Sequence, residues 1–151
     1  MKKHLLMLAL ASTCFMATHA SAMTKDEYKA AKDKIEADYK SAKAQCDAMK
    51  DNAKDVCEKE AKAKEKLAKA ELDAKKNPSQ RNQRKVSETK AEGEYDVAKE
   101  KCDDMKGNEK DTCEKQAKAK HDQAKADIKK QYAQRSDADK PKGSASSGTS
   151  K

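Results

Sequence analysis

Four cysteines in two equally spaced pairs are the residues of this chain best suited to chemistry. Cys46 and Cys57 form the first pair, and Cys102 and Cys113 repeat their spacing in the second half of the chain. The surrounding stretches are also similar, "CDAMKDNAKDVCEKEAKAK" in the first case and "CDDMKGNEKDTCEKQAKAK" in the second. Thiols in such pairs can form disulfides, bind soft metal ions or exchange with other thiols, and each outcome requires a different geometry.

Disulfide formation requires the chain to reverse its direction between the bonded cysteines. On one uninterrupted helix, the two cysteines of a pair would be separated by about 16 Å, whereas bonded cysteines need Cα atoms within about 7 Å. One pairing is local, Cys46 with Cys57 and Cys102 with Cys113. The other crosses between the repeats, Cys46 with Cys113 and Cys57 with Cys102, and would resemble the twin-cysteine coiled-coil–helix–coiled-coil–helix proteins.

The turn signals bear on this choice. Gly107-Asn108 joins a residue suited to end one helix with a residue suited to begin the next, and Asp51-Asn52 is a weaker form of the same signal. The local loops are centred on these two dipeptides, whereas the crossed loops are centred beside Pro78, which marks a third interruption. The capping signals favour the local pairing, and the crossed pairing stays open as the alternative.

Metal and catalytic chemistry have less support in the sequence. Each pair has a methionine one helical turn after its first cysteine, so Met49 and Met105 could complete soft Cu(I) sites, which we treat as a second alternative function. We otherwise predict no cofactor and no metal. The thiol-exchange motif Cys-x-x-Cys is absent, and His121, the one histidine that follows the N-terminal segment 1–22, aligns with Glu65 of the first repeat. We therefore predict that His121 is a solvated surface residue and that the protein is not an enzyme.

The N-terminal segment 1–22 has the layout of a secretory signal peptide. Lys2 and Lys3 precede an apolar run and the small residues Ala20-Ser21-Ala22, after which we place the cleavage site. The apolar run is too short to span a bilayer, so we do not expect a permanent membrane helix. The signal-peptide layout predicts export to the periplasm. The alternative is a lipoprotein anchored through Cys14, at the end of "LASTC". An exported chain with four remaining cysteines is expected to oxidise them.

The composition excludes a conventional hydrophobic core. The chain has no tryptophan, its one phenylalanine lies in the signal peptide, and 41% of its residues are charged. So little apolar area cannot offset an ordering cost of about 1–2 kcal/mol per residue. Without Lys2 and Lys3, the 35 basic residues fall to 33 against 27 acidic ones, a formal net charge of +6. Helix-forming residues nevertheless dominate, with opposite charges three and four positions apart, which indicates exposed helices.

The apolar residues recur at helical spacing. Steps of three and four positions, averaging 3.5, connect Tyr28, Ala31, Ile35, Tyr39, Ala42, Cys46 and Met49, and a similar seam follows in the second repeat. Together with the interruptions, this pattern predicts an all-α fold of two tandem disulfide-stapled helical hairpins. We place the first hairpin at 23–77, a basic linker at 78–85, the second hairpin at 86–135 and a disordered tail at 136–151.

One stretch carries bases without acids. Residues 74–87 contain no carboxylate and five cations, Lys75, Lys76, Arg81, Arg84 and Lys85. Such a cluster at a hairpin tip is suited to an anionic envelope surface, and the alternative is a solvated linker. Nucleic acid is excluded as a partner because 27 acids are interleaved with the bases and because export removes the chain from it.

The signal peptide, the segment "MTKDEYKAAKDKIEADYKSAKAQCD" and the duplicated "NAKDVCEKEAKAKEK" block resemble a group of small exported proteins of Gram-negative bacteria. Members of this group are commonly labelled TolA-like or cell-envelope biogenesis proteins. The resemblance implies a structural or protein-interaction role in the envelope, with other envelope proteins or a second copy of the chain as partner. A holdase-type stress chaperone is the alternative function, since small basic helical periplasmic chaperones are similar to this chain.

Overall fold

A computed structural model describes residues 23–138 as four helices and no strand, which confirms the predicted all-α fold. The helices are α1 (Lys25–Cys46), α2 (Asp51–Lys76), α3 (Gln80–Cys102) and α4 (Gly107–Ala138). The predicted signal peptide, the Cys14 alternative and residues 139–151 of the predicted tail lie outside the described residues.

The two disulfides connect the helices of each hairpin in the local pairing. Cys46 is bonded to Cys57 with their Cα atoms 5.5 Å apart, and Cys102 is bonded to Cys113 with a Cα–Cα distance of 5.7 Å. Each pair spans a short reversal, at residues 47–50 and 103–106. The prediction of two disulfide-stapled hairpins is therefore confirmed, and the crossed pairing is wrong.

Both reversals are built in the same way. Asp51 and Gly107, at equivalent positions in the repeats, have the positive φ angles of 51° and 54°. Glycine adopts this left-handed conformation without penalty, and aspartate tolerates it better than most residues. Equivalent ion pairs cross the reversals, from Lys54 to Asp47 at 3.0 Å and from Lys110 to Asp103 at 2.6 Å. The duplicated sequence thus folds into duplicated turns.

Side-chain caps fix the first residues of α1 and α3. The α1 helix begins with a capping box, in which Thr24 Oγ1 accepts from the Glu27 backbone N–H at 3.2 Å and Glu27 accepts from the Thr24 backbone N–H at 2.8 Å. Ser79 caps α3 by accepting from the Asn82 backbone N–H at 3.1 Å. Because this cap directly follows Pro78, α3 begins at Gln80.

The basic linker predicted at 78–85 is therefore wrong in its extent. Between α2 and α3, only residues 77–79 are non-helical. Residues 80–85 form the first turns of α3, so the second hairpin begins before residue 86. The other boundary that changes is the predicted tail at 136–151, since α4 continues to Ala138.

The four helices form a single layer. Each helix packs only against its neighbours in sequence, so α1 contacts neither α3 nor α4 within the described range, and the contact between α2 and α3 is the most extensive. Few large side chains are buried between them. The buried residues are mostly small: Cys46, Ala61, Ala70, Leu72, Ala91, Gly93, Cys102, Ala117 and Tyr132, with Glu65 the one buried charged residue among those described.

The close contact between α2 and α3 depends on a glycine. A Cβ atom added to Gly93 would lie 2.9 Å from the Cβ of Ala63, closer than real Cβ contacts allow. Small residues at this point let the two helix backbones approach, and this approach joins the two hairpins into one layer.

Candidate interaction site

The helix layer has two different faces, which can be distinguished from the positions around α2. Lys64 lines both an open groove between α1 and α2 and another between α2 and α3, so both grooves open on the same side. We call this side the grooved face. Residues Lys59, Lys66 and Asp73 lie on the opposite side of α2, because successive helix residues are rotated by about 100°.

The groove between α2 and α3 is the larger of the two on this side, with a volume of about 370 Å³. Its apolar lining consists of Ala63, Leu67, Gly93, Val97 and Ala98. Leucine and valine are half-buried here although the helices bury little else, because no further element packs on top of them in the described part of the chain. The result is an uncovered apolar strip along the centre of the layer.

Charged residues form the rim of this groove. Two of the rim lysines are paired with acids: Lys101 Nζ donates to Glu60 Oε1 at 2.9 Å, and Lys90 Nζ lies 3.9 Å from Glu94 Oε1. Lys64 differs from these lysines, since no acid within residues 23–138 lies at ion-pair distance from its Nζ. The rim therefore presents one uncompensated positive charge between the two grooves.

The groove between α1 and α2 is narrower, with a volume of about 260 Å³. It is lined by side chains from the seam that the sequence predicted, including Ile35, Tyr39 and Ala42, opposite Ala61 and Ala68. The heptad-like seam thus lies at the interface within the first hairpin. It does not supply the strip between α2 and α3.

The opposite face holds the hairpins together through polar contacts, and we call it the ion-paired face. Lys59 lies 3.5 Å from Glu100, and Lys66 lies 3.9 Å from Asp96, so α2 and α3 are connected at two levels. Exposed ion pairs of this kind each contribute little to stability. Their effect is on register, because they match charges along two antiparallel helices.

Glu65 is the buried charge of the first hairpin. Its side chain is 8% exposed and accepts from Lys69 Nζ at 2.7 Å and from Lys62 Nζ at 2.9 Å. The hydrogen bond from Lys69, followed by that from Lys62, holds the pKa of Glu65 below its ordinary value. The aligned His121 stacks on Tyr95 with ring centroids 4.7 Å apart.

The prediction that His121 is an ordinary solvated residue is therefore wrong. Glu65 lines the groove between α1 and α2, although its hydrogen-bond partners lie on its own helix, and His121 is half-buried against Tyr95 of the partner helix. Their spacing indicates this placement, because each lies four positions after a buried alanine, Ala61 or Ala117, and therefore on the same helix face.

The five predicted polyanion-binding cations lie at the end of the layer opposite the disulfides, and most contact neighbours there. Lys76 Nζ lies 3.9 Å from the centroid of the Tyr28 ring, and Lys85 lies 3.9 Å from Asp73. Arg84 donates to Glu88 at 2.8 Å. Lys75 is close enough to help lower the pKa of Glu27, after the larger effect of the Thr24 hydrogen bonds. Arg81 and Arg84 also line a cleft between α3 and α4.

The cysteine sulfurs are bonded to one another, so the Cu(I) alternative lacks the thiolates that it required. Among the described residues, no group of three or more His, Cys, Asp or Glu side chains could hold a metal ion. No helix in residues 23–138 combines the length and hydropathy of a membrane span. The two disulfides are compatible with an extracellular or periplasmic protein.

Comparison of the chain with protein-family models, with curated proteins and with solved structures gives no match. A functional assignment therefore has to come from the grooved face, the ion-paired face and the two ends of the layer.

Proposed function

We propose that this chain is a non-enzymatic protein-binding module of the cell envelope, which acts in the periplasm and binds its partner on the grooved face. The single observation that carries the proposal is the uncovered apolar strip between α2 and α3, centred on Leu67 and Val97. Stable domains normally cover such a strip with a second layer of secondary structure. In this protein, the second layer would come from a partner.

The partner that fits the groove best is an amphipathic helix with an acidic edge. Gly93, Ala63 and Ala98 keep the floor of the groove shallow, so that a third helix can approach both α2 and α3. The rim supplies the charge preference, because no acid of the described chain lies at ion-pair distance from Lys64, while Lys101 is already paired with Glu60. A carboxylate on the partner helix would complete the rim.

The periplasmic location is supported by three observations. The N-terminal segment 1–22 has the order of a signal peptide, the remaining cysteines are even in number, and all four are disulfide-bonded in the fold. The TolA-like and cell-envelope biogenesis proteins that the sequence resembles are exported in the same way. The structural or interaction role that this resemblance implies agrees with the uncovered groove.

Site-specific photo-crosslinking in envelope preparations tests the proposal. A photo-reactive amino acid at Lys90, on the groove rim, is compared with the same residue at Lys99, which is exposed on the ion-paired face. We expect a discrete adduct from position 90 only. Val97→Glu should abolish this adduct, whereas Lys99→Gln, which changes the net charge by the same amount, should leave it unchanged.

The mass of the adduct identifies the class of partner. An adduct of twice the chain mass would identify a homodimer, and any other single mass would identify a different envelope protein. Equal adducts from both positions, or no adduct from position 90, would refute the proposal that the grooved face binds a partner.

A holdase chaperone is the second candidate function, and a separate observation favours it. Met49 and Met105 are 46% and 42% exposed at the disulfide-bonded end of the layer, at equivalent positions in the two repeats. Flexible methionine side chains adapt to many apolar surfaces. A holdase should suppress the aggregation of reduced insulin chains at equimolar ratio, and Met49→Gln/Met105→Gln should remove this effect. Unchanged aggregation in the presence of the native protein would contradict this function.

A further inference from the structure

The two repeats differ in charge at the end of the layer away from the disulfides. In the first hairpin, this place is occupied by Tyr28, Asp73 and Lys76. When the two repeats are aligned on their cysteine pairs, these three positions correspond to 84, 129 and 132. The second hairpin carries Arg84, Lys129 and Tyr132 there, so the acid of the first repeat is replaced by a base.

The site in the first hairpin is complete in itself. The Tyr28 hydroxyl donates to Asp73 Oδ1 at 2.7 Å, and Lys76 Nζ lies 3.9 Å from the centroid of the same tyrosine ring. The hydrogen bond to Asp73 raises the pKa of Tyr28 above its ordinary value. The negative charge of Asp73 thus lies between a hydroxyl donor and nearby cations, including Lys85 at 3.9 Å.

The corresponding place in the second hairpin is a cleft of about 430 Å³ between α3 and α4. Among the residues with described side chains no carboxylate lines it, and its lining residues are Gln80, Arg81, Arg84, Lys129, Tyr132 and Ala133. Tyr132 is 7% exposed, and its hydroxyl lies 3.3 Å from Ser87 Oγ, on α3. The first turn of α3, which opens towards this cleft, contains no acid.

The charge balance of the cleft is positive. Of its three cations, Arg84 donates to Glu88 at 2.8 Å, while within the described chain no acid lies at ion-pair distance from Arg81 or Lys129. Among the described side chains, three bases against one acid leave two uncompensated positive charges. A phosphate monoester carries about −1.5 to −2 at neutral pH, and arginine side chains bind its oxygens in pairs.

We propose that the cleft formed by Arg81, Arg84, Lys129 and Tyr132 binds a doubly charged phosphate group, which takes the place that Asp73 has in the first hairpin. The group can belong to free phosphate or to a phosphorylated lipid headgroup, since both present the same oxygens. The site is narrower than the predicted five-cation cluster, because Lys75, Lys76 and Lys85 are not part of it. It is also separate from the grooved face and independent of the proposed protein partner.

Titration of the disulfide-bonded protein, without the signal peptide, tests this site with two probes. The first probe is inorganic phosphate, followed by the NMR shifts of the arginine side-chain and Tyr132 signals. The second is phosphatidylcholine vesicles containing phosphatidic acid, followed by co-sedimentation. Binding of both probes supports the site and indicates that the phosphate group is sufficient, whereas binding of the vesicles alone supports the site and identifies a lipid headgroup as the ligand.

Matched variants separate the cleft from general attraction to anions. Arg84→Gln/Lys129→Gln should weaken binding at least about tenfold, since each removes a charge-assisted hydrogen bond. Lys75→Gln/Lys85→Gln removes the same charge from the same end of the layer and should change binding less than twofold. Lys129→Asp restores the acid of the first repeat and should abolish binding. Circular dichroism melts establish that each variant is folded.

Two results would overturn the proposal. One is an equal loss of binding in the two double variants, because binding would then depend on net charge rather than on the cleft. The other is a native protein that binds neither inorganic phosphate nor phosphatidic acid vesicles.

Discussion

The contact between α2 and α3 predicts an unusual response to a substitution that normally stabilises helices. Gly93 lies in the interior of α3, where glycine is less favourable than alanine by about 1 kcal/mol. On propensity alone, Gly93→Ala should therefore stabilise the protein. In the structure, however, the added Cβ would lie 2.9 Å from the Cβ of Ala63, on the neighbouring helix.

The magnitude of the clash follows from the rigidity of the two atoms. Both Cβ atoms are fixed to helix backbones, so neither can rotate away, and the distance is about 0.5 Å short of an ordinary contact. The helices have to separate, which loosens the lining of the α2–α3 groove. Overpacking of this kind costs about 1–3 kcal/mol, so that it cancels or exceeds the gain in helix propensity.

A double-mutant cycle measures this cost directly. Unfolding by urea, followed by circular dichroism, gives the free energy of unfolding for Gly93→Ala, Ala63→Gly and the double variant. We expect Gly93→Ala to leave stability unchanged or to lower it by up to about 2 kcal/mol in the native background. In the Ala63→Gly background, the same substitution should be stabilising, because the clash is gone.

The first repeat supplies the matched control. Ala37 is the counterpart of Gly93 and is exposed on α1, so Ala37→Gly should lower stability by the propensity difference alone, about 1 kcal/mol. If Gly93→Ala raised stability by that same amount in both backgrounds, α2 and α3 would not approach at this point. Such a result would contradict both the single-layer arrangement and the α2–α3 groove, because both depend on this contact.

Three further perturbations test the parts of the fold that hold each hairpin. Cys46→Ala/Cys57→Ala opens a loop with a sequence separation of 11, and we expect the free energy of unfolding to fall by about 3 kcal/mol in urea titrations; an unchanged midpoint would contradict the stapling role. Because hydrogen bonds from Lys69 and Lys62 lower the pKa of Glu65, its contribution to stability is present above the ordinary carboxyl value of 4.5 and is lost as the pH falls through the lowered pKa. The stability difference between the native protein and Glu65→Gln should therefore shrink on acidification, and a difference that grows below pH 4.5 would refute this assignment. Gly107→Ala should cost about 1–2 kcal/mol through its φ of 54° alone, since the added Cβ would meet no described atom within 4 Å beyond its own chain neighbours and helix backbone. A neutral result in thermal melts would contradict the left-handed turn.

The features that could be predicted from the sequence are those that occur in both of its repeats. The cysteine spacing and the turn signals at Asp51 and Gly107 were sufficient to place both reversals and to favour the correct pairing, because a disulfide and a left-handed turn each impose a local geometric requirement. The start of α3 was misplaced for a local reason as well, since Ser79 caps the helix immediately after the proline. This signal was present but was outweighed by the lack of acids in the stretch.

The α2–α3 contact was not predictable in the same way. A heptad-like seam identifies one contact face on a helix, whereas a helix in the middle of a layer has two. The second face of α2 combines Leu67 with alanine, a residue that is equally common on exposed surfaces. Gly93, in the middle of a helix, was the one residue that marked a close approach. The cleft between α3 and α4 was missed because Lys129 lies far in sequence from the five predicted cations and joins two of them only in the fold.

The arrangement of the contacts along each hairpin connects stability with the proposed ligand site. Both hairpins are closed covalently at one end of the layer, and at the other end each has a tyrosine hydroxyl that contacts the partner helix, Tyr28 with Asp73 and Tyr132 with Ser87. Within residues 23–138 the outer helices α1 and α4 contact one neighbour each, so we expect opening to begin at the ends away from the disulfides. In the first hairpin an acid already bridges this end. In the second, a phosphate bound by Arg84 and Lys129 would bridge α3 and α4 in addition to the Tyr132–Ser87 contact, so that ligand binding would stabilise the closed second hairpin.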